Sequence, residues 1–225
     1  MNDRLPVIVF DVNETLSDMS VLGRSFEQLG APAALADQWF ARLLRDGFAL
    51  AAAGDNADFA VLGRGNLHAL FDRLDLSCPT AVAVETIMET LSGLGLHADV
   101  ADGVKALHEA GHRLVTLSNG AATLAESMIS AAGLRGYFDL VLSVAQAPAW
   151  KPAAAAYAYA ASACAADPAD LLLVAVHPWD VHGAARAGLR TAWLNRDGTS
   201  YPGHFIAPEL TITRLTDLPR ALVSR

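Results

Sequence analysis

The chain has 225 residues, 53% of them hydrophobic and 18% charged, which is enough to bury a substantial core and excludes an intrinsically disordered segment. Its formal net charge of −8 argues against nucleic acid or an anionic membrane surface as a partner, because both need a field of basic residues. Cys78 and Cys164 are too few for a disulfide framework. With no apolar run near the roughly 20 residues of a membrane span and no export signal, we expect a cytoplasmic protein.

In chain order, short runs of branched apolar residues predict strands that are buried on both faces. The four clear runs and a weaker fifth are Val7–Phe10, Leu114–Leu117, Leu140–Val144, Leu171–Val176 and Thr191–Leu194. The helical stretches between the later strands are Ala121–Ala132, Pro152–Ala166 and Val181–Ala187. Alternating strands and helices predict an α/β fold with a parallel sheet and helices on both faces.

A long segment after the first strand contains no comparable strand. Its apolar residues recur at helical spacing, as in Phe40, Leu43 and Leu44, with loops expected at Gly54–Asp58 and Leu76–Pro79. We therefore expect two domains, a sheet domain made of residues 1–16 and 100–225 and a helical domain made of residues 17–99.

Polar clusters follow the predicted strands, at the sheet edge where ligands bind in open parallel sheets. They are Asp11 to Thr15, Ser118 to Gly120, Trp150 to Pro152, and His177 to Asp180. Singly, Asp11 and Asp180 could be helix caps, and Ser118 and Asn119 could be turn residues. Those readings do not explain Lys151, one of only two lysines in the chain, beside two carboxylates. A buried lysine lowers the pKa of neighbouring carboxylates and can make one of them a nucleophile.

The order Asp-x-x-x-Thr, Ser-Asn-Gly, Lys-Pro and Trp-Asp resembles the haloacid dehalogenase superfamily, and within it the type II (S)-2-haloacid dehalogenases. The resemblance runs nearly to the C-terminus. It implies a Rossmann-like core, a helical cap formed by the insert, a small-molecule 2-haloacid as substrate and a homodimer.

The resemblance also implies a role for each site residue. Asp11 would attack the halogen-bearing carbon and become esterified, while Lys151 holds it ionised and Asp180 positions Lys151 and assists the water that cleaves the ester. The remaining substrate-binding candidates are Asn13, Thr15, Arg42, Phe59, Ser118, Asn119 and Trp179. Of these, Thr15 and Ser118 would bind carboxylate oxygens, and Asn119 would contact the departing halide.

Several positions depart from the family pattern. Asn13 stands where phosphatases of the superfamily carry an acidic proton donor, and a halide leaving group needs no proton. The acidic residues after the fourth strand look too few for Mg²⁺, so we expect no metal and no cofactor.

Arg42 lies two positions beyond the usual halide-binding arginine, which rotates it by about 200° on a helix. Asn13 and Glu14 replace an aromatic residue and glycine, and Ala175 and His177 replace serine and asparagine. We take His177 as a candidate base for ester hydrolysis, against a purely structural hydrogen bond. The alternatives are a Mg²⁺-dependent phosphatase of small metabolites or a low-activity binding protein of the superfamily.

Overall fold

The computed structural model describes residues 5–223, and these divide into two compact units. The first unit holds the chain up to Ser17 and again from Leu96, and the second is Asp18–Gly95. Within the described residues, no helix is long and apolar enough to cross a membrane.

The first unit is built on a parallel sheet of six strands in the order β3-β2-β1-β4-β5-β6. The strands are β1 (Val7–Phe10), β2 (Leu114–Ser118), β3 (Leu140–Ser143), β4 (Leu171–Ala175), β5 (Arg190–Leu194) and β6 (Leu210–Ile212). Every residue of β1, β2 and β4 is buried, as their continuous apolar runs predict. The predicted α/β class with a parallel sheet is confirmed.

Four helices lie between these strands in the chain, and a fifth follows β6. They are α5 (Val100–Glu109), α6 (Ala122–Ala131), α7 (Ala154–Cys164), α8 (Pro178–Arg186) and, after β6, α9 (Leu218–Val223). The chain visits β2 and β3 on one side of β1 and then β4 and β5 on the other. The carboxyl ends of β1 and β4, which are neighbours, therefore form the point of reversal where open α/β sheets bind ligands.

Two differences from the sequence prediction matter. Strand β6 has only three residues, too few for a pattern that sequence can reveal, and it was not predicted. Helix α8 begins three residues before the predicted start, because Pro178 fits the first helical position and His177 is the extended residue before it. Asp180 therefore lies in the first turn of the helix.

The second unit is helical. Its helices are α1 (Val21–Gln28), α2 (Leu35–Ala53), α3 (Phe59–Phe71) and α4 (Thr80–Ser92). Gly54, whose φ of 84° suits glycine, caps the C-terminus of α2. Asp58 caps the N-terminus of α3, and its carboxylate accepts from the amides of Ala60 and Val61. The core of this unit includes Trp39, which donates to the carbonyl oxygen of Gly63 over 2.9 Å.

Candidate active site

The ends of three adjacent strands bring the site together. Phe10 pairs with Thr116 of β2 on one side and with Val174 of β4 on the other. Asp11 follows directly, and its amide donates to the carbonyl oxygen of Val174 over 3.0 Å. The Asp11 side chain thus lies between the segments that follow β2 and β4.

The centre of the site is an ammonium group shared by two carboxylates. Lys151 Nζ lies 2.8 Å from Asp11 Oδ1 and 2.6 Å from Asp180 Oδ2. The exposed fraction of the side chain is 0% for Lys151 and Asp180 and 5% for Asp11. Because the charges are removed from water, each is stabilised by its charged and hydrogen-bonding partners rather than by solvent.

The two carboxylates have different acidities. Burial by itself would raise the pKa of Asp11, but the positive charge of Lys151 and the hydrogen bond from His177 outweigh it, so this pKa lies well below its ordinary value. For Asp180, burial and the negative charge of Asp11 raise the pKa despite Lys151 and a hydrogen bond from Tyr157. Asp11 is therefore firmly ionised, and Asp180 is the more basic partner.

Asn119 and Tyr157 hold the lysine and Asp180 in place. The Asn119 amide donates to the carbonyl oxygen of Lys151 over 3.1 Å and accepts from the amide of Lys151 over 3.0 Å. The Tyr157 hydroxyl donates to Asp180 Oδ1 over 2.6 Å, which leaves Asp180 Oδ2 for Lys151. Burial and the charge of Asp180 raise the pKa of Tyr157 well above its ordinary value, so it stays a proton donor.

The second oxygen of Asp11 has two partners of its own. The Thr15 hydroxyl donates to Asp11 Oδ2 over 2.6 Å and accepts from the amide of Val176 over 3.1 Å. His177 Nδ1 lies 3.1 Å from the same oxygen, and its Nε2 lies 2.7 Å from Glu14 Oε2. Trp179 stacks on the imidazole, with 4.9 Å between ring centroids.

This geometry does not support His177 as a base. Burial would lower the pKa of His177, but the hydrogen bonds to Asp11 and Glu14 outweigh it and raise the pKa to about 9. At neutral pH both ring nitrogens carry protons and face carboxylates, so the ring has no lone pair with which to take a proton from water.

The remaining predicted residues divide between the two units. Ser118 is buried, and its hydroxyl oxygen accepts from the amide of Gly120 over 2.9 Å. A Cβ atom on Gly120 would lie within 4 Å of the side chains of Ser118 and Asn13, so Asn13 borders the same turn. Arg42 lies on α2 and Phe59 begins α3, both in the second unit, and their roles stay predictions.

Two residues of the site, Glu14 and Tyr157, were not predicted from the sequence. Glu14 was noted only as a departure from a family glycine, and Tyr157 stands in an alanine-rich helix. The detectable signal for Glu14 was a charged residue where glycine is usual. For Tyr157 it was a side-chain hydroxyl five residues after the Lys-Pro motif.

A family model for haloacid dehalogenase-like hydrolases matches residues 5–188. The chain belongs to this family, and the resemblance predicted from its motifs is confirmed. Haloacetate dehalogenase H-2 of Moraxella sp. strain B is 28% identical over 211 residues, covering 93% of this chain and 94% of that protein. An (S)-2-haloacid dehalogenase of Pseudomonas sp. strain YL is 32% identical over 142 residues, which are 63% of this chain and 60% of the relative.

Structural similarity also supports membership of this family. The structure of L-2-haloacid dehalogenase from Xanthobacter autotrophicus superposes on this chain with a TM-score of 0.87 at 25% identity, covering 98% of this chain and 99% of that one. The chain is therefore similar to dehalogenases over nearly its whole length.

Proposed function

We propose that the protein hydrolyses the carbon–halogen bond of short (S)-2-haloalkanoic acids through an ester on Asp11, without a metal ion. The observation that carries this proposal is the buried ammonium of Lys151, 2.8 Å from Asp11 and 2.6 Å from Asp180. It supplies a permanent positive charge that keeps Asp11 ionised. An ionised carboxylate held in a fixed orientation is the nucleophile that such a displacement needs.

In the first step, a carboxylate oxygen of Asp11 attacks the halogen-bearing carbon from the side opposite the halogen. The new carbon–oxygen bond forms as the carbon–halogen bond breaks, and both electrons of that bond leave with the halide. The configuration at carbon inverts. No proton is needed by the leaving group, which suits the amide of Asn13 at a position where a phosphatase would need an acid.

In the second step, water attacks the carbonyl carbon of the ester while Asp180 accepts one of its protons. The bond between the acyl carbon and the alkyl oxygen then breaks, and the 2-hydroxy acid leaves with the proton that Asp180 returns. Asp11 keeps one oxygen of the water and releases the remaining proton to solvent. The raised pKa of Asp180 supports this assignment, because a more basic carboxylate takes a proton more readily.

Other residues would bind the substrate. Ser118 is a candidate for its carboxylate oxygens, whereas the single hydroxyl hydrogen of Thr15 is donated to Asp11 Oδ2 and is not available to the substrate. Asn119 keeps a second amide hydrogen for the halide while its first donates to Lys151. Within this proposal, Phe59 and Trp179 would form an apolar wall around the halogen, and Arg42 would contact the halide. We also propose that the protein is a cytoplasmic homodimer.

The test is halide release from (S)- and (R)-2-chloropropionate, measured by ion chromatography with EDTA and with added Mg²⁺. We expect chloride from the S enantiomer at equal rates in both solutions, and none from Asp11→Asn. Asp55→Asn is the matched control, because Asp55 is exposed in the second unit. In a single turnover in ¹⁸O-labelled water, the label should appear in Asp11 and not in the product.

A generic phosphate ester is assayed in parallel. Phosphate release that requires Mg²⁺ and is lost in Asp11→Asn would replace this proposal with a phosphatase. A protein inactive on both substrates would favour the binding protein of the same superfamily.

A further inference from the structure

The site contains a pair of charged side chains, Glu14 and His177, that none of the proposed steps uses. The two ring nitrogens of His177 face two carboxylates, with 3.1 Å to Asp11 Oδ2 and 2.7 Å to Glu14 Oε2. Two carboxylate partners require a hydrogen on each nitrogen, which makes the ring an imidazolium. The stacking of Trp179 at 4.9 Å also favours a cation.

The backbone of Glu14 adopts a conformation that a side chain disfavours. Its φ is 60°, in the left-handed region where glycine is the usual residue. The conformation is held on both sides, because the Glu14 amide donates to Ser17 Oγ over 3.2 Å and its carbonyl oxygen lies 3.0 Å from His97 Nε2. A glutamate kept at a glycine position, with its carboxylate on His177, indicates that the side chain itself is needed.

The two oxygens of Asp11 differ in their partners. Oδ2 is bonded to Thr15 and His177, whereas the described residues give Oδ1 one hydrogen-bond donor, Lys151. A carboxylate oxygen has two lone pairs, so Oδ1 retains one for attack on carbon and Oδ2 does not. Oδ1 therefore becomes the alkyl oxygen of the ester, and Oδ2 becomes its carbonyl oxygen.

We propose that His177, held as a cation by Glu14, stabilises the negative charge that develops on Asp11 Oδ2 when water attacks the ester. This inference rests on the proposed function and adds to it a catalytic residue, His177, and a positioning residue, Glu14. Thr15 is the second donor to the same oxygen. Together they form an oxyanion site that exists before the reaction begins.

The pair acts on the two steps in opposite directions. During ester formation Asp11 loses its charge, so a cation on Oδ2 stabilises the starting carboxylate more than the transition state. During hydrolysis Oδ2 gains charge, so the same cation stabilises the transition state. Loss of the cation should therefore slow hydrolysis, leave ester formation intact and cause the ester to accumulate.

The charged surroundings of His177 define the expected pH dependence. The carboxylates of Asp11 and Glu14 contact the ring directly. Lys151 contacts Asp11 and Asp180, and Arg196 donates to the carbonyl oxygen of Thr15 over 2.9 Å. The neutral amide in Glu14→Gln removes one of the two carboxylates that keep the ring protonated. The pH above which hydrolysis falls should then drop by about one unit or more.

The experiment is rapid-quench kinetics with (S)-2-chloropropionate on the wild type, Glu14→Gln and Glu14→Gly. Chloride in the first turnover reports ester formation, and intact-protein mass reports the Asp11 ester. We expect both variants to release the first chloride at the wild-type rate or faster. Above their lowered pH limit they should hydrolyse the ester at least about 10-fold more slowly than the wild type and accumulate it. Glu85→Gln is the control, since Glu85 pairs with Arg64 at an exposed site of the second unit.

Glu14→Gly separates a catalytic role from a structural one. Glycine relieves the left-handed backbone, which offsets the lost contact with His177, so this variant should melt close to the wild-type temperature while sharing the hydrolysis defect. The inference is overturned if wild type releases chloride while hydrolysis and its alkaline limit are unchanged in Glu14→Gln, or if both steps slow equally. If wild type itself releases no chloride and forms no ester, the proposed function fails and this inference fails with it.

Discussion

The choice of lysine at position 151 follows from the space between the two carboxylates. A single ammonium nitrogen contacts Asp11 and Asp180 at 2.8 and 2.6 Å in a fully buried position. Burial would lower the pKa of Lys151, but the two carboxylates raise it above its ordinary value. Arginine would bring a wide planar fork that does not fit where a compact cation lies.

We therefore expect Lys151→Arg to reduce kcat/KM for 2-chloropropionate by at least about a hundredfold, because a misplaced cation neither orients Asp11 nor leaves Asp180 paired. Steady-state chloride release measures the loss. Lys105→Arg is the matched control, since Lys105 is exposed on α5 and should keep full activity. Full activity in Lys151→Arg would contradict the role assigned to the ammonium.

Sequence was informative for residues that follow a recognisable strand. Asp11 directly follows β1, and a scarce lysine marked position 151. The partners of these residues were harder to predict, because the contact between Tyr157 and Asp180 depends on the packing of two helices. The protonation of His177 was also missed, because it depends on a glutamate that is 163 positions away in sequence and 2.7 Å away in space.

At the scale of elements, the position of Asp180 depends on the contact between α7 and α8. Gly183 is three residues after Asp180 and so lies on the same face of α8. A Cβ atom there would lie 2.6 Å from Tyr157 Oη, 2.6 Å from Pro152 Cβ and 2.9 Å from the carbonyl oxygen of Pro152. The absence of a side chain lets α8 approach the segment that carries Lys151.

Gly183→Ala should force the helices apart and shift Asp180 away from Lys151. We expect a loss of about 1 to 3 kcal/mol in the free energy of unfolding, measured with urea, and a kcat/KM at least about tenfold lower. Gly65→Ala on α3 is the control, because no described atom lies within 4 Å of the added Cβ. It should stabilise the protein by up to about 1 kcal/mol. Unchanged stability in Gly183→Ala would show that the contact is looser than the distances indicate.

The helices and strands were predicted more accurately than the residues at which they begin and end. The periodicity of α8 could be seen in the sequence, but its start at Pro178 depends on the extended backbone of His177. His177 follows closely after β4, and the position of β4 is set by its pairing with β1, a strand far away in the sequence. Strand β6 pairs only with β5, at the sheet edge, and its three residues carry too little pattern to be found locally.

At the scale of the whole molecule, the order of the strands brings together a site whose residues span positions 11 to 180. The reversal of direction at β1 places β4 beside it, so the end of β4 delivers His177 and Asp180 to Asp11. The charges gathered there link the folding of the sheet unit to pH, since each shifted pKa is also a contribution to stability.

Stability changes with pH in opposite directions for Asp11 and His177. The pKa of Asp11 is lower in the folded state, so its contribution is present above the ordinary carboxyl range and is lost as pH falls. The pKa of His177 rises from 6.5 to about 9 on folding, so its contribution is full below pH 6.5 and is lost as pH rises through 9. That loss amounts to about 3 kcal/mol at most.

We therefore expect the melting temperature of the wild type to fall as pH rises from 6.5 to 9.5, and the fall to be clearly smaller in His177→Asn. The measurement is calorimetry or circular dichroism at constant ionic strength. His68→Asn is the control, because His68 is exposed on α3 and should leave the slope unchanged. Parallel slopes in wild type and His177→Asn would mean that the ring is not held protonated by Asp11 and Glu14 in the folded protein.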